Sequence, residues 1–303
     1  MKRSIKVAII VAVALIAAGL LTVLAAFAVG GFDIRSFNTV TYIENSVPID
    51  IPFDSVSVDC TTADVRIIRS PDGRARVVFS DCDDHAISHS ATVRDGELTV
   101  TRTDNRTVHI YAEVNIGQGG PTITVYLPQD QYSELDISTT SGNVDISAGF
   151  RFDEAEIHTT SGSIHAVGCT GQKLEGRSSS GTVRLENVQC EEIKAQSSSG
   201  GIQLEAVRCL NTEAQSSSGT IRLTDVIATG FIKIHNSSGG VRLAQSDAPK
   251  LQIETSSGSV TGSLLTSKLF DITTSSGTVR LPEQGDGGVC EIRTSSGNIN
   301  LTQ

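Results

Sequence analysis

The chain has 303 residues, no tryptophan, four tyrosines and nine phenylalanines, and its formal charge is −10 at neutral pH. So few aromatic rings exclude a core built on large aromatic side chains, and the buried area must come from Val, Ile, Leu and Ala. The acidic balance argues against nucleic acid as a partner, and 28 glycines are typical of many short strands and turns.

The chain begins with a short basic segment followed by a long apolar run. Three basic residues within 1–6 precede an uncharged stretch at residues 7–29, long enough for the roughly 20 residues that cross a bilayer. Because basic flanks favour the cytoplasm, we predict a cytoplasmic tail at 1–6, a single-pass transmembrane anchor at 7–29 and an extracytoplasmic body. The sequence Ala26-Phe27-Ala28 leaves a cleaved signal peptide, and hence secretion, open as the alternative.

The sequence between the apolar run and Leu135 is irregular. We expect residues 30–50 to form a stalk and residues 51–134 to form an N-terminal β cap that seals one end of the repeat that follows. Within this cap, residues 51–68 resemble one degenerate coil, with Ala63 at the place of a turn glycine.

From Leu135 onward, three small polar residues followed by glycine recur nine times, and the glycines are 19 or 20 residues apart. Apolar residues alternate with polar ones on both sides of each glycine, as in Leu251/Ile253 and Ile221/Leu223, which is the pattern of half-buried strands. The nine turn glycines are Gly142, Gly162, Gly181, Gly200, Gly219, Gly239, Gly258, Gly277 and Gly297.

A unit of 19–20 residues buries too little apolar surface to be stable alone, so the units are expected to stack around one shared core. The sequence therefore predicts an all-β fold, with a parallel β-solenoid or β-helix at residues 135–303. The general bias of parallel connections favours right-handed coiling. An antiparallel sandwich is the rival, but it does not need the same turn residues at the same phase. Each turn glycine indicates either a backbone with positive φ or a corner too tight for a Cβ atom.

Two sequence features, together with the N-terminal apolar run, resemble the bacterial putative-adhesin β-strand-repeat family, which is similar in style to head GIN domain proteins. They are the opening FDSVSV at residues 53–58, with ADVRI at residues 63–67, and the tandem Thr-Ser-Ser-Gly-x-Val-x-Leu units. The resemblance spans nearly all of the predicted exported part. It implies a right-handed β-helix-like fold and a location in the cell envelope, and it carries over no ligand-binding residues.

Candidate ligand contacts stand three positions after the turn glycines, where strand side chains point outward. A possible contact stripe of four arginines stands there on an otherwise acidic protein: Arg184, Arg222, Arg242 and Arg280. Such a stripe could contact acidic polymers such as teichoic acid, uronate sugars or phospholipid headgroups. Solvated arginines beside acids such as Glu186 and Glu205 are the simpler alternative.

No arrangement typical of an enzyme stands out in the sequence. The repeated serines lack a paired histidine, and the connectors are too short to wall a cleft. His85 and His89 follow three aspartates, but a polar loop is the favoured interpretation there. We therefore predict no catalytic residue, cofactor or metal. Six scattered cysteines leave both buried thiols and partial disulfide pairing open.

The last coil, residues 290–301, stands two residues before the end of the sequence. Its backbone edge and Ile292, Ile299 and Leu301 are expected to be open to a second copy or a partner.

The leading hypothesis for function is a membrane-anchored, non-catalytic adhesin, or a binding or scaffold module of the bacterial envelope, that meets a cell-wall polymer or a surface protein. An envelope-stress sensory or regulatory protein is the alternative, and a carbohydrate-active β-helix enzyme comes third.

Overall fold

A computed structural model describes residues 15–19, 21–22, 42–82, 87–105 and 120–303. The predicted tail and much of the predicted transmembrane segment lie outside these residues. No helix within the described ranges is long and apolar enough to span a membrane, so the anchor stays a prediction.

The chain divides into two compact units. The smaller unit, Met1–Tyr42 with Thr107–Gly120, contains the described helical residues 15–19 and 21–22. The larger unit, Ile43–Arg106 with Pro121–Gln303, contains nearly all of the strands.

The described strands form one sheet of 23 strands. The part before the repeat contributes β1 (Tyr42–Ile49), β2 (Ser55–Cys60), β3 (Asp64–Arg69), β4 (Ala75–Cys82), β5 (Ile87–Arg94), β6 (Glu97–Asp104) and β7 (Thr122–Leu127). The first half of the repeat contributes β8 (Gln131–Thr139), β9 (Val144–Ile146), β10 (Arg151–Thr159), β11 (Ile164–Val167), β12 (Thr170–Ser178), β13 (Val183–Glu186), β14 (Gln189–Ser197) and β15 (Ile202–Ser216). The second half contributes β16 (Ile221–Asn236), β17 (Val241–Ser246), β18 (Lys250–Thr255), β19 (Val260–Leu264), β20 (Leu269–Thr274), β21 (Val279–Arg280), β22 (Val289–Thr294) and β23 (Ile299–Thr302).

The strands of the repeat pair in parallel with the matching strands of neighbouring coils. β10 lies between β8 and β12, so that Ala155 stands opposite Leu135 on one side and Leu174 on the other. All three side chains are buried, as are most of the apolar residues that alternate along the other strands of the repeat, apart from those of β20 and β21. The parallel pairing confirms the predicted β-solenoid and excludes the antiparallel sandwich, while its handedness stays a prediction.

The turn glycines stand where neighbouring coils approach most closely. A Cβ atom at Gly162 would lie 1.8 Å from the carbonyl oxygen of Gly142, and one at Gly200 would lie 2.0 Å from that of Gly181. None of the nine turn glycines, all of which are described, has a positive φ. Of the two explanations that the sequence left open, the corner too tight for a Cβ atom is therefore correct.

The side chain three positions before each of these glycines holds the corner together, and it is a serine or threonine hydroxyl at eight of the nine corners and the amide of Asn236 at the other. Thr159 donates from Oγ1 to the carbonyl oxygen of Gly142 (3.1 Å) and accepts the amide of Gly162 (3.1 Å). Ser178 makes the same two bonds one coil later, at 2.9 Å and 2.8 Å. These buried hydroxyls satisfy buried backbone groups, which gives the polar repeat a structural role.

A second corner recurs in the middle coils without a repeated residue to signal it. Its residues all have positive φ, between 49° and 97°: Gly149, Gly168, Asn187, Ala206, Asp225 and Gln245. Residues with a Cβ atom rarely adopt this conformation, so the packing of the stack outweighs the local preference at Ala206 and Gln245. Because glycine is not required at every copy, the sequence pattern does not reveal this corner.

The order of the coils in space differs from their order in the chain at both ends of the solenoid. At the N-terminal end, β2 and β3 lie between the outer strands β6 and β7 and the inner strands β8 and β9. β4 and β5 then pair in antiparallel fashion with β7 and β6. At the C-terminal end, β22 and β23 lie between β18 and β19 on one side and β20 and β21 on the other.

This order contradicts the prediction that the last coil of the chain is open. Ile292, Ile299 and Leu301 are buried, because β20 and β21 pair with β22 and β23 on their outer side. At this end of the solenoid, the strands whose outer sides pair with no described strand are β20 and β21 instead, where Leu269 is 55% and Val279 is 39% exposed. Self-association itself stays a prediction, and the surface expected for it is now that of these two strands rather than the last coil.

The segment before the repeat takes part in the same sheet. Residues 51–68, which resemble a degenerate coil in sequence, form β2 and β3, and the carbonyl oxygen of Ala63 lies against Gly142. β1 falls within residues 30–50, where a stalk was expected, and it pairs with β4.

Candidate functional site

The four arginines of the contact stripe lie in one outward column, but not all of them on adjacent coils. In the order of the coils, this column reads Arg184, Gln203, Arg222, Arg242, Thr261, Asn300 and Arg280. Among the four, Arg222 and Arg242 are the one pair on adjacent coils, and neighbouring parallel strands lie about 4.8 Å apart.

Arg184 is neutralised by acidic side chains. Its guanidinium forms an ion pair with Glu186 and lies 3.7 Å from the carboxylate of Glu205. Glu186 also contacts the Nε2 atom of His165 at 3.2 Å. This part of the stripe therefore agrees with the simpler alternative of solvated, paired arginines.

Arg222 and Arg242 stand in different surroundings. Neither forms an ion pair with a residue in the described ranges, whose arginine pairs all lie elsewhere. Thr224 and Ala244 stand at the register positions that the acids Glu186 and Glu205 hold two coils earlier. Both arginines are exposed. Two adjacent guanidinium groups without a carboxylate form a surface that an anion can bind by charge-assisted hydrogen bonds.

A second outward column, six positions before the turn glycines, carries charges of both signs. The Nζ atoms of Lys194 and Lys233 lie 3.5 Å and 3.6 Å from Glu175 and Glu213 on the neighbouring coils. A hydrogen bond from Lys173 holds the pKa of Glu156 below its ordinary value. The lysines of this column are therefore neutralised by acids, so the column offers an anion less than the arginine pair does.

A groove of about 540 Å³ runs along another edge of the solenoid. It forms because one inward column, ten positions before the turn glycines, changes from Phe152 to Gly171, Cys190 and Cys209 on successive coils. The change from an aromatic ring to small side chains is visible in the sequence, and reading that column would have revealed the groove.

The two arginines on the rim of this groove are paired with neighbours. Arg151 contacts Asp153 at 3.0 Å, and Arg208 holds both carboxylate oxygens of Asp225 at 2.9 Å and 3.0 Å. The groove therefore lacks the unpaired cations that distinguish Arg222 and Arg242.

Five of the cysteines are buried free thiols: Cys60, Cys169, Cys190, Cys209 and Cys290. Burial raises the pKa of Cys169, Cys190 and Cys290 to about 12 and that of Cys209 to about 11. Thiols with such pKa values stay protonated at neutral pH and are poor nucleophiles. Of the two interpretations that the sequence left open, the structure therefore has buried thiols at these positions.

The aspartates near His85 and His89 are only partly described. Burial raises the pKa of Asp81, but hydrogen bonds from Arg102 and His89 and the charge of Arg102 outweigh burial and lower it. Asp83, Asp84 and His85 lie outside the described residues. Within the described ranges, no group of three or more His, Cys, Asp or Glu side chains could hold a metal ion.

Two overlapping segments of the chain, residues 53–239 and 191–303, match the family model described as Toastrack DUF4097. No curated protein matches the sequence.

Several solved structures share the fold at low sequence identity. A putative lipid binding protein from Parabacteroides distasonis is 17% identical, with a TM-score of 0.54 over 86% of this chain and 97% of its own. A putative adhesin from the same species is 11% identical, with a TM-score of 0.54 over 88% and 98%. A putative adhesin from Bacteroides fragilis is 18% identical, with a TM-score of 0.50 over 86% and 97%. At these identities the likeness shows the fold alone.

Proposed function

The chain belongs to the Toastrack DUF4097 family, and we propose that it is a non-catalytic binding module of the bacterial envelope that contacts phosphate-bearing anions through Arg222 and Arg242. The observation that carries the proposal is the exposed pair of arginines on adjacent coils, which no described carboxylate neutralises. The names of the structural neighbours, two putative adhesins and a putative lipid binding protein, support a binding role.

The proposal includes an extracytoplasmic position for the solenoid. The apolar run at residues 7–29 and the basic residues before it support a transmembrane anchor with its N-terminus in the cytoplasm. Envelope polymers of the teichoic acid type and the headgroups of anionic phospholipids share phosphodiester groups, whereas uronate polymers carry carboxylates.

Local contacts must account for this binding, because the chain as a whole is acidic. A net charge of −10 repels a polyanion at long range, and only a local cluster of cations can offset that repulsion. An arginine near an anionic surface contributes about 1 kcal/mol, so that losing two costs about 2 kcal/mol, or roughly 30-fold in affinity. Added salt should weaken the contact, since both arginines are exposed.

The test compares Arg222→Gln/Arg242→Gln with the matched control Arg184→Gln, which changes an arginine of the same column that acids already neutralise. The full chain, held in phosphatidylcholine nanodiscs, is mixed with phosphatidylglycerol vesicles, poly(glycerol phosphate) or polyglucuronate. We expect the double variant to lose binding by roughly 30-fold and the control to keep it.

The three probes separate the sources of the anion. Binding of the vesicles alone identifies lipid headgroups, binding of poly(glycerol phosphate) identifies a phosphate polymer, and a preference for polyglucuronate contradicts the choice of phosphate. Equal loss in the control and the double variant, or wild-type binding by the double variant, would remove the arginine pair from the function.

A further inference from the structure

We propose that β20 and β21, at the open C-terminal end of the solenoid, bind a second copy of the chain about a two-fold axis. This surface is distinct from the adjacent pair Arg222 and Arg242, and the proposal does not depend on the anion-binding function.

The backbone at this end is free to pair. Within the described ranges, β20 pairs with β22 and β21 pairs with β23, and no described strand pairs with their outer sides. An unpaired edge of this kind is a ready template for another strand, and proteins normally cover or charge it.

The apolar core is also uncovered at this end. The inward-facing Val279 is 39% exposed, and the inward-facing Phe270, Ile272 and Leu281 are only partly buried. Leu269 alternates with Phe270 and points outward beside the open edge, where it adds 55% exposed apolar surface. In the middle of the stack, the matching inward positions are fully buried, as at Ile232 and Ile234, because coils lie on both sides of them. Exposed apolar surface around an open edge marks an interaction site.

The other end of the solenoid offers no parallel strand on which the stack could continue. There β4 and β5 pair in antiparallel fashion with β7 and β6 and bury Val77 and Phe79. A head-to-tail contact would have to form on β5 or β1, whose second edges pair with no described strand. An interface that uses the C-terminal end of both copies joins two identical strand pairs and closes as a two-fold dimer.

The charges on this surface are complementary to themselves. Asp271 on β20 and Arg280 on β21 are both exposed, and neither forms an ion pair with a described residue. Across the register from Asp271 stands Glu291, which is of like charge and already accepts a hydrogen bond from Gln252 at 2.8 Å.

A two-fold axis through the corner between Ser275 and Ser276 makes β20 of each copy antiparallel to β21 of the other. Asp271 and Arg280 stand equally far along the chain from this axis, so Asp271 of each copy comes opposite Arg280 of the other. The complementary charges are the reason for a second copy as the occupant, rather than an unrelated peptide.

The start of β20 is fixed to the body of the solenoid by a buried cation. Lys268, whose side chain is 1% exposed, donates to the carbonyl oxygen of Ala248 at 2.8 Å and also contacts Asp247 and the carbonyl oxygen of Gly287. An edge that is already ordered loses little conformational freedom when it binds.

Sedimentation velocity of the full chain in a neutral detergent, over a wide range of concentration, tests the proposal. We expect a mass that rises from one chain to two. Leu269→Lys should stay monomeric at every concentration, whereas the matched control Leu210→Lys, at a 46% exposed leucine of β15, should dimerise like the wild type. Circular dichroism verifies that each variant is folded.

The charge-reversal variants keep the test decisive if Leu269→Lys does not fold. Asp271→Arg and Arg280→Asp should each weaken dimerisation by roughly tenfold or more, and the double variant should restore it. A wild type that is monomeric throughout, a dimer that survives Leu269→Lys, equal loss in Leu210→Lys, or a double reversal that restores nothing would each overturn the proposal.

Discussion

At the N-terminal end of the solenoid, β4 and β5 lie against the outermost parallel strands, whereas no described strand covers β20 and β21 at the C-terminal end. The two ends are otherwise alike. At the N-terminal end, β2 and β3 lie one place inside β6 and β7, which follow them in the chain. At the C-terminal end, β22 and β23 lie one place inside β20 and β21, which precede them. The exchange of coils therefore does not by itself close the core.

The burial of inward residues follows this difference. Leu98 on β6 and Val125 on β7 are fully buried beneath β5 and β4, while Phe270 and Ile272 on β20 are only partly buried. A coil covers the inward side chains only of the coils next to it. Those of an end coil are therefore buried only where further strands lie against it, as the antiparallel β4 and β5 do. Closure of the core therefore depends on additional strands at each end. β4 and β5 supply it at the N-terminal end, and no described strand supplies it at the C-terminal end.

The largest expected effect comes from removing an aromatic ring at each end. Phe79, 1% exposed, packs against the tilted ring of His89 within the N-terminal closure, and Phe79→Ala should lower the free energy of unfolding by about 3–5 kcal/mol. Phe270→Ala removes the same ring from the open end and should cost about half as much or less, since its ring is partly solvated already. Urea unfolding followed by circular dichroism measures both. Equal losses would mean that the open end is as well packed as the closed one.

The next effect concerns the buried ion pair of the closed end. Asp81 and Arg102 are 5% and 2% exposed, and Asp81→Asn leaves the guanidinium with only the carboxylate of Asp104, 3.8 Å away, at a cost of roughly 3 kcal/mol at neutral pH. In the wild type, the pKa of Asp81 is lower in the folded protein than its ordinary value. Its contribution is therefore complete above the unfolded pKa of about 4 and is lost as the pH falls through the lower folded value.

Hydrogen exchange, corrected for the intrinsic effect of pH on exchange rates, locates this loss. Amides of β4–β6 should lose protection as the pH falls below about 4, and Asp81→Asn should weaken them already at neutral pH while removing most of the pH dependence. Protection that falls equally in the wild type and in the variant would show that another group titrates there.

The repeat could be predicted from sequence because each turn obeys a constraint that is local to two neighbouring coils. At Gly162 and Gly181 the carbonyl of the previous coil excludes a Cβ atom, so glycine recurs and its spacing reveals the coil length. The exchange at the C-terminal end could not be predicted, because the strands around Gly277 and Gly297 have the same pattern. Their order depends on long-range packing that no single coil encodes.

The candidate site could be predicted only as far as the alternation within one strand determines it. Alternation along the strands indicates correctly that the arginines point outward, since that depends on the strand alone. The sequence also names Glu186 beside Arg184, but the neutral surroundings of Arg222 and Arg242 depend on which coils are adjacent. Arg280 lies apart from Arg242 because two coils, carrying Thr261 and Asn300, stand between them.

A smaller effect separates the body of the solenoid from its open end. A Cβ atom at Gly200 would meet the carbonyl oxygen of Gly181 at 2.0 Å, and one at Gly277 would meet that of Gly297 at the same distance. Gly200→Ala should cost about 1–3 kcal/mol, because coils on both sides prevent the chain from moving away. Gly277→Ala should cost less, since β20 and β21 have a described neighbour on one side and can move outward. The midpoint temperatures of thermal unfolding measure the difference, and a greater loss in Gly277→Ala would contradict the view that this end is free.

The smallest expected effect lies in the middle of the solenoid, between the two ends. Ala206 holds φ at 52°, a conformation that costs a residue with a Cβ atom about 1–2 kcal/mol. Ala206→Gly removes this strain but adds about 0.5–1 kcal/mol of chain entropy to the unfolded state, so we expect a net stabilisation of less than about 1 kcal/mol. Ala195→Gly, at a buried alanine of β14, is the control and should destabilise by about 1 kcal/mol, because no strain is relieved there. If both variants lose stability alike in thermal unfolding, the second corner stores no strain, and the positive φ values reflect packing that alanine accepts without cost.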